Sequence, residues 1–468
     1  MKIRGRERTL GEVVRKSVTF IPKRIYWRYH DAWMQREFAR VLAGGADMRE
    51  KNILRKYLVR TLKRAHSNVP YWSEFDCLKG VNEENVFEKL SQLPLLDKEV
   101  IRQQGDRMHI QRDMAGFSKG HTGGTTGRPL EFYYGRADET SHQKALYEYM
   151  TGLTYKENLD KAGAIVGFSG TRPRGEDVAQ HVYWTEMKPG IYGSLDFCTL
   201  YMQAENMPYY IAKLNEIKPI VIRGYSNAIL NMAKAVEKDG ELEFVPKAIY
   251  VTSEHCSLES MKFISKAFSC PVHGQYGQNE ACHFAWTKPN EDVYYCSPYY
   301  GYVEVVDDKG HHVEAGQMGE MVVTAFGNDV QPFIRYRTGD LVRFGGVKNG
   351  VVKIDKVVGR NNAYLINAEG EKIYASGIVD IHYLKSKEKI SQFQVEQNEI
   401  GKVIFRIVTD GTWTVDDEEE IRKLLAVKKI AVDFAYLDII PMTGRGKERH
   451  IVQNVKDSLT KVLDEVSM

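Results

Sequence analysis

The sequence predicts an α/β protein. It would have a large N-terminal domain with parallel or mixed sheets flanked by helices, an antiparallel β section, and a small α+β C-terminal domain. Three observations predict it. From about residue 160, short apolar runs alternate with Gly-containing turns and helical stretches, the grammar of a parallel sheet. After residue 300 the runs alternate in polarity and are joined by tight turns. The last hundred residues follow neither pattern and read as a few strands with one helix. A chain of 468 residues exceeds what one core organises. The expected division is a large domain, made of a helical part at 1–115 (basic over 1–70) and a core at 116–360, and a small domain at 361–468.

The elements follow in order. "MREKNILRKYLVRTLKRAHSNV" places Ile53, Leu54, Leu58, Val59 and Leu62 at helical spacing. "NEENVFEKLSQLPLLDKEVIRQQ" reads as short helices broken at Pro94. "AGAIVGF" is a short apolar run ending in the turn "SGTRPRG". "KPIVIRGYSNAILNMAKAVEKDG" and "PKAIYVTSEHCSLESMKFISKAF" each read as strand, turn and helix, and "CPVHGQYGQNE" adds a strand and a loop. "YGYVEVVDDKGHHVEAGQMGEMVVTAF" and "LVRFGGVKNGVVKIDKVV" are antiparallel, with "DDKG" and "KNG" at turns. Strands are expected near 392–408 and 430–438, with a helix from about 417. Its acidic first turn, "DDEEE", favours the positive end of a helix dipole.

Composition narrows the class. Apolar residues make up 43% and charged residues 27%, ordinary values for a globular protein. No run of 18 apolar residues is present, so no transmembrane helix is expected. "MKIRGRERTL" has no apolar stretch and does not read as a secretory signal. The six cysteines include no C-x-x-C pair, which points to a reduced, cytoplasmic setting. Residues 1–70 hold 18 Lys and Arg against 6 Asp and Glu, interleaved with Phe20, Tyr26, Trp27, Tyr29, Trp33 and Phe38. Two readings stand: a helical pair packed on the body with its charges solvated, or a surface resting on an anionic membrane. No motif for reading bases accompanies the charge, so nucleic acid is not an expected partner.

Ligands of open parallel sheets bind at the loops beyond the strand C-termini. Here those loops are "FSG", "RGYSN", "VTSEHCS" and "QYGQNE". Phe168, Ser169, Tyr192, Gly224, Tyr225 and Phe284 are the candidate pocket residues, although each would equally serve a core. "KGHTGGTTGRPLEF" lacks the G-K-[ST] ending of a Walker motif. Its glycines would still expose backbone N–H groups to an anion, and Thr122, Thr125, Thr126 and Arg128 would add donors and charge. Alone, the stretch fits a connector as well as a phosphate loop.

Read in order with "YVTSEHCS", "YGQNEACHF", "RYRTGDLVRF", "VVGRNNAYLI" and "IPMTGRGKERHIV", the chain resembles the adenylate-forming superfamily. Within it the resemblance is to phenylacetate–CoA ligase-like proteins, including their capsule-biosynthesis branch. "VPYWSEFD" and "LPLLDKEVIR" extend the likeness toward the start.

The resemblance implies roles. The loop Thr122, Gly123, Gly124, Thr125, Thr126, Gly127 and Arg128 would close over the β- and γ-phosphates of ATP. Thr122, Gly123 and Arg128 stand where the common pattern has Ser, Ser and Lys. Tyr276 and Gly277 would lie at the adenosine, and Glu280 would hold Mg²⁺, a hard cation suited to carboxylate and phosphate oxygens. Ser253 and Glu254 would face the adenylate or the substrate carboxylate. Asp340 would accept the ribose hydroxyls, with Arg360 beside it. Asn362 falls at the hinge, where the family has Asp or Lys. Lys447 would be the catalytic lysine, stabilising charge at the α-phosphorus. The small domain, 361–468, would act as a mobile lid that rotates for the second step.

The implied reaction turns a carboxylic acid and Mg·ATP into acyl-AMP and pyrophosphate. The acyl group then passes to CoA or to an amine or hydroxyl acceptor. Aromatic residues in the loops suit an aryl acid; the capsule branch points instead to a sugar-linked or amino-acid substrate, with work near the inner membrane surface. Two alternatives stay open at this level: a nucleotidyl transferase that adenylylates an acceptor hydroxyl, and a non-catalytic membrane-associated scaffold. Cys256, Cys270, Cys282 and Cys296, with His255, His273 and His283, form a cluster in sequence, but the cysteine spacings are not those of a zinc ribbon.

Overall fold

The computed structural model describes residues 2–3, 6–7, 23–112, 114, 117–122, 130–134, 139–239, 242–254, 256–360, 364–374, 389–409, 411–441 and 449–455. A two-residue antiparallel pairing of Lys2–Ile3 with Arg6–Glu7 comes first, followed by helices Lys23–Leu42 and Met48–Asn68. The second begins at a capping box in which Asp47 accepts the Arg49 N–H and Glu50 accepts the Asp47 N–H. It buries Leu54, Leu58, Leu62 and Ala65 at the spacing the sequence predicted, and ends before Pro70, where Val69 is extended. The first helix buries Met34, Phe38, Val41 and Leu42 in the core. Trp33 packs edge-on against Tyr299 at 6.0 Å, and Tyr29 is exposed. Trp33 and Phe38, two of the aromatics of the membrane-surface reading, are therefore turned into the protein. Among the described residues, no helix is long and apolar enough to cross a membrane.

The strands are β1 (Lys119–His121), β2 (Glu131–Tyr133), β3 (Ile165–Ser169), β4 (Trp184–Glu186), β5 (Leu195–Cys198), β6 (Val221–Tyr225), β7 (Ala248–Thr252), β8 (Val272–Gly277), β9 (Phe284–Thr287), β10 (Tyr294–Cys296), β11 (Gly301–Val306), β12 (Met318–Ala325), β13 (Tyr336–Lys348) and β14 (Val351–Arg360). β1 and β2 form a hairpin; β3 to β14 form one twelve-stranded sheet in the order β11-β12-β13-β14-β10-β9-β8-β7-β6-β3-β5-β4. The β5, β3, β6, β7 and β8 pairings are parallel. From β8 through β11 every pairing is antiparallel. The two strand patterns of the sequence are thus halves of one mixed sheet, joined where β9 folds back on β8. The β13–β14 hairpin turns at Asn349 and Gly350, both at positive φ, as its "KNG" tip requires.

Opposite faces of the parallel half feed different cores. Val166, Phe168, Ile222, Ile249 and Val251 pack under helices Ser226–Asp239 and Leu258–Phe268. Ile165, Val221, Ala248 and Tyr250 pack under helix Glu139–Thr151. Beyond β14 lie the hairpin β15 (Tyr364–Ile366) and β16 (Lys372–Tyr374), then β17 (Ile390–Glu399), β18 (Lys402–Thr409), β19 (Ala431–Tyr436) and β20 (Ile451–Gln453). The last four form a sheet in the order β19-β18-β17-β20. Helix Val415–Ala426 starts at a Thr414 capping box, near the predicted position. This part has its own hydrophobic cluster around Val395, Phe405 and Ile407. It meets the large sheet's helices where His450 Nε2 lies 2.8 Å from Asn227 Nδ2 and Lys234 Nζ donates to the Ile390 carbonyl at 3.2 Å.

Candidate active site

The end of β8 and the nearest part of β13 bring two motifs together. β13 alternates buried and half-buried residues from Tyr336 through Val342, so Tyr336, Thr338 and Asp340 share its inner face. Tyr276 reaches across, and its hydroxyl donates to Asp340 Oδ2 at 2.5 Å; Gln278 Nε2 donates to the same oxygen at 3.3 Å. The Asp340 N–H is fixed by Thr338 Oγ1 at 3.0 Å. Asp340 pairs in register with Arg360 on β14. The adenosine-binding set of the sequence, Tyr276, Gly277, Asp340 and the backbone of Arg360, is thus brought to one place.

Glu280 stands beside it. It is buried, its Oε1 accepts the Tyr336 hydroxyl at 2.6 Å, and Lys98 Nζ lies 3.7 Å from that oxygen. No hydrogen bond to Oε2 arises among the described residues. A buried carboxylate with one oxygen held and one open suits a hard cation that also takes phosphate oxygens. Ala281, the next residue, has φ +53, a left-handed backbone that costs a non-glycine residue energy and holds the loop in a sharp turn. His283 packs edge-on against Tyr276 at 4.6 Å. Burial pushes its pKa down to about 4, with Asp340's charge pulling the other way, so the ring is neutral at pH 7. Burial does the same to His273.

Of the stretch expected to hold phosphate, Thr122 is the residue described. Thr122 is buried; its hydroxyl accepts the Leu130 N–H at 3.0 Å, and its own N–H donates to the Leu130 carbonyl at 2.9 Å. Its side chain closes the β1–β2 hairpin. Gly123, Gly124, Thr125, Thr126, Gly127 and Arg128 lie outside the described residues, as do Asn362 and Lys447.

The candidate acyl residues separate into two groups. Phe168 stacks on Phe197 at 4.8 Å, fully inside the core under Ser226–Asp239. Phe284 is wedged edge-on against Phe38 at 5.6 Å in the other core. Neither ring lines an open surface. Strand parity turns both inward. Gly224 is also structural in effect, because any side chain there would run into the Phe168 backbone. Ser169, Tyr192, Tyr225 and Ser253 do reach accessible positions. Glu254 is held against the start of helix Ser226–Asp239, where its Oε2 accepts the Asn227 N–H at 3.2 Å.

Lys98, Tyr336 and Gln278 belong to this site and were not picked out from the sequence. Tyr336 was within reach, since a period of two counted back from Asp340 puts it on the same face. Lys98 lies nearly 200 positions away in the chain, and no local signal carries that contact. The cysteines divide between two cores, Cys256 and Cys270 in one and Cys282 and Cys296 in another. Burial raises all four thiols. Among the described residues, no group of three or more Cys, His, Asp or Glu is placed to hold a metal ion.

Comparison with known proteins gives the site its context. Residues 365–454 match the family model described as the CapK C-terminal domain. The chain is 29% identical over 380 residues to protein CapK of Staphylococcus aureus, covering 78% of this chain and 81% of that protein. It is 21% identical over 386 residues to phenylacetate-coenzyme A ligase of Pseudomonas putida, covering 78% and 82%. The fold is similar to that of 2-hydroxyisobutyryl-CoA ligase in its postadenylation state, with TM-score 0.62, 15% identity and coverage of 88% and 91%. It is also similar to the acyl acid amido synthetase AtGH3.15, with TM-score 0.57, 15% identity and coverage of 92% and 96%.

Proposed function

We propose that this chain, a CapK-like protein of the adenylate-forming superfamily, activates a carboxylic acid with ATP and transfers the acyl group to an acceptor. The observation that carries the reading is the pair of cross-links between the end of β8 and β13, Tyr276 to Asp340 and Tyr336 to Glu280, which bring the two carboxylates into one region. One carboxylate would take the ribose hydroxyls and the other a cation on the phosphates. Tyr276 and Gly277 would line the adenine, and Arg360 would reach the ribose from the strand beside Asp340.

Each residue's part follows from its chemistry. Glu280 would hold Mg²⁺ through its open oxygen, and the ion would neutralise phosphate charge. The loop from Thr122 to Arg128 would grip the β- and γ-phosphates with backbone N–H groups. A carboxylate oxygen of the acid attacks the α-phosphorus, the bond to the bridging oxygen breaks, and pyrophosphate leaves. Lys447 would stabilise the charge that builds there. Ser253, Ser169, Tyr192 and Tyr225 would surround the acyl group. In a second step the acceptor, CoA or an amine or hydroxyl, attacks the acyl carbon and AMP departs. Residues 361–468 would form the lid, pivoting at Asn362 on the nucleotide- and acyl-binding part, 116–360. A role in cell-surface polysaccharide biosynthesis, with the basic residues 1–70 beside an anionic membrane, is the finer part of the proposal.

The test is ATP–pyrophosphate exchange across a panel of carboxylic acids. Acid-dependent exchange supports the reading. A protein that neither binds ATP nor exchanges pyrophosphate with any acid overturns it, and AMP retained on the product would mean nucleotidyl transfer.

A further inference from the structure

The parallel half of the sheet carries a polar row that the nucleotide side of the site leaves unused. Asp196 on β5, Gly167 on β3, Arg223 on β6 and Tyr250 on β7 stand opposite one another in register. Their side chains therefore leave the same face, the one under helix Glu139–Thr151. Two residues earlier that face is Ile165, Val221 and Ala248, all apolar and buried. Two residues later it is Ser169, Tyr225 and Thr252, at the strand ends. The polar row thus lies about 7 Å below those strand ends, one strand repeat down.

The row is closely packed at its centre. Gly167 supplies no side chain between Asp196 and Arg223, and a Cβ there would collide with Asp196 Oδ1. That oxygen fills the place a Cβ would take, while Oδ2 accepts the Ser169 hydroxyl. The Arg223 guanidinium lies over the Tyr192 and Tyr250 rings, 5.0 and 5.7 Å from their centres. Its Nε is shielded from water and has no hydrogen-bond partner, and among the described residues the group forms no ion pair. Gln143, buried on the facing helix, accepts the Tyr250 hydroxyl through Oε1 at 2.9 Å; its amide nitrogen is also without a partner. Tyr192 stands at the mouth, 49% exposed, with its hydroxyl donating to Glu139 Oε1 at 2.8 Å.

Two buried donors without acceptors, one on the sheet and one on the facing helix, thus lie in the region that carries Asp196 and, at its mouth, Glu139. Such groups are costly unless a ligand completes them. Building on the adenylation reading, we infer that the acyl pocket ends in this row and takes an acid whose far end carries several uncharged hydroxyl groups, the chemistry of a polyhydroxy acid. A hydroxyl accepts from Arg223 or Gln143 and donates to Asp196 Oδ1. An aryl ring would leave all of these groups unpaired. A second carboxylate would answer Arg223 but meet Asp196 and Glu139.

The experiment uses the full chain and follows ATP–pyrophosphate exchange with gluconate, phenylacetate and glutarate, with ATP binding measured separately by calorimetry. The expected result is that kcat/KM for gluconate exceeds that for either other acid by about tenfold or more. Arg223→Met and Gln143→Leu should each raise the KM for gluconate about tenfold and leave ATP affinity unchanged. Preference for phenylacetate or glutarate overturns the inference. So does ATP binding without exchange with gluconate, or wild-type KM in both variants. Absence of ATP binding would instead bring down the adenylation reading beneath it.

Discussion

The end of β8 and the row around Arg223 lie on the same sheet, two strands apart, yet they treat their charged groups differently. Around Tyr276, Asp340, Tyr336 and Glu280, each carboxylate has one oxygen held by a tyrosine hydroxyl, while among the described residues Glu280 Oε2, Gln278 Oε1 and the His283 ring nitrogens stay open. Around Arg223 and Gln143, donors are buried and left open. A carboxylate held in this way keeps its geometry before any ligand arrives, as a site for an invariant nucleotide requires. An unpaired donor is completed by the ligand, and so discriminates among ligands by whether they complete it. The first region suits the constant reactant and the second the specific one.

Perturbing the paired region should have the largest effects. Glu280→Gln should lower exchange about 100-fold or more, with Lys447→Ala at least as severe, while circular dichroism stays unchanged. Activity retained in either variant would remove that residue from the chemistry. Asp340→Asn should raise the KM for ATP about 10- to 100-fold with kcat less affected, the size expected for one bond to a charged acceptor. Equal loss with every acid would mark the nucleotide region. Loss confined to polyhydroxy acids, as expected for Arg223→Met, would mark the other.

A smaller effect concerns stability. His273 and His283 are each held near pKa 4 by burial, below the usual 6.5. The unfolded chain takes up the protons these rings refuse. Their contribution is therefore full above about pH 6.5 and is lost as pH falls toward 4. Each should cost about 2 kcal/mol at pH 5, read from urea unfolding. His283→Asn should flatten that slope; an unchanged profile would refute its assignment. The smallest effect on activity is expected at the remote β13–β14 turn. Asn349→Ala should cost about 1 kcal/mol of stability, since alanine resists φ +53, and leave exchange kinetics untouched.

Much of this was legible in the sequence because it is local. Helix Met48–Asn68, the "KNG" hairpin and the Thr414 cap each follow from a few neighbouring residues. The motifs "YGQNE" and "RTGD" likewise announced Tyr276, Glu280 and Asp340 before their meeting was seen. Contacts between distant segments were not legible. Lys98 beside Glu280 is one, and the fusion of the parallel and antiparallel halves into one sheet is another.

The sequence by itself determined which segments are strands, which are helices and which loops carry charge, because these depend on periodicity and turn chemistry within about ten residues. Only the tertiary structure decided which way each strand faces. Side chains alternate, so shifting the register by one residue exchanges the two faces of a strand. That choice sends Phe168 into the core and leaves Gly167 between Asp196 and Arg223. It is fixed by the packing of helices from both sides, which no single segment of the chain contains.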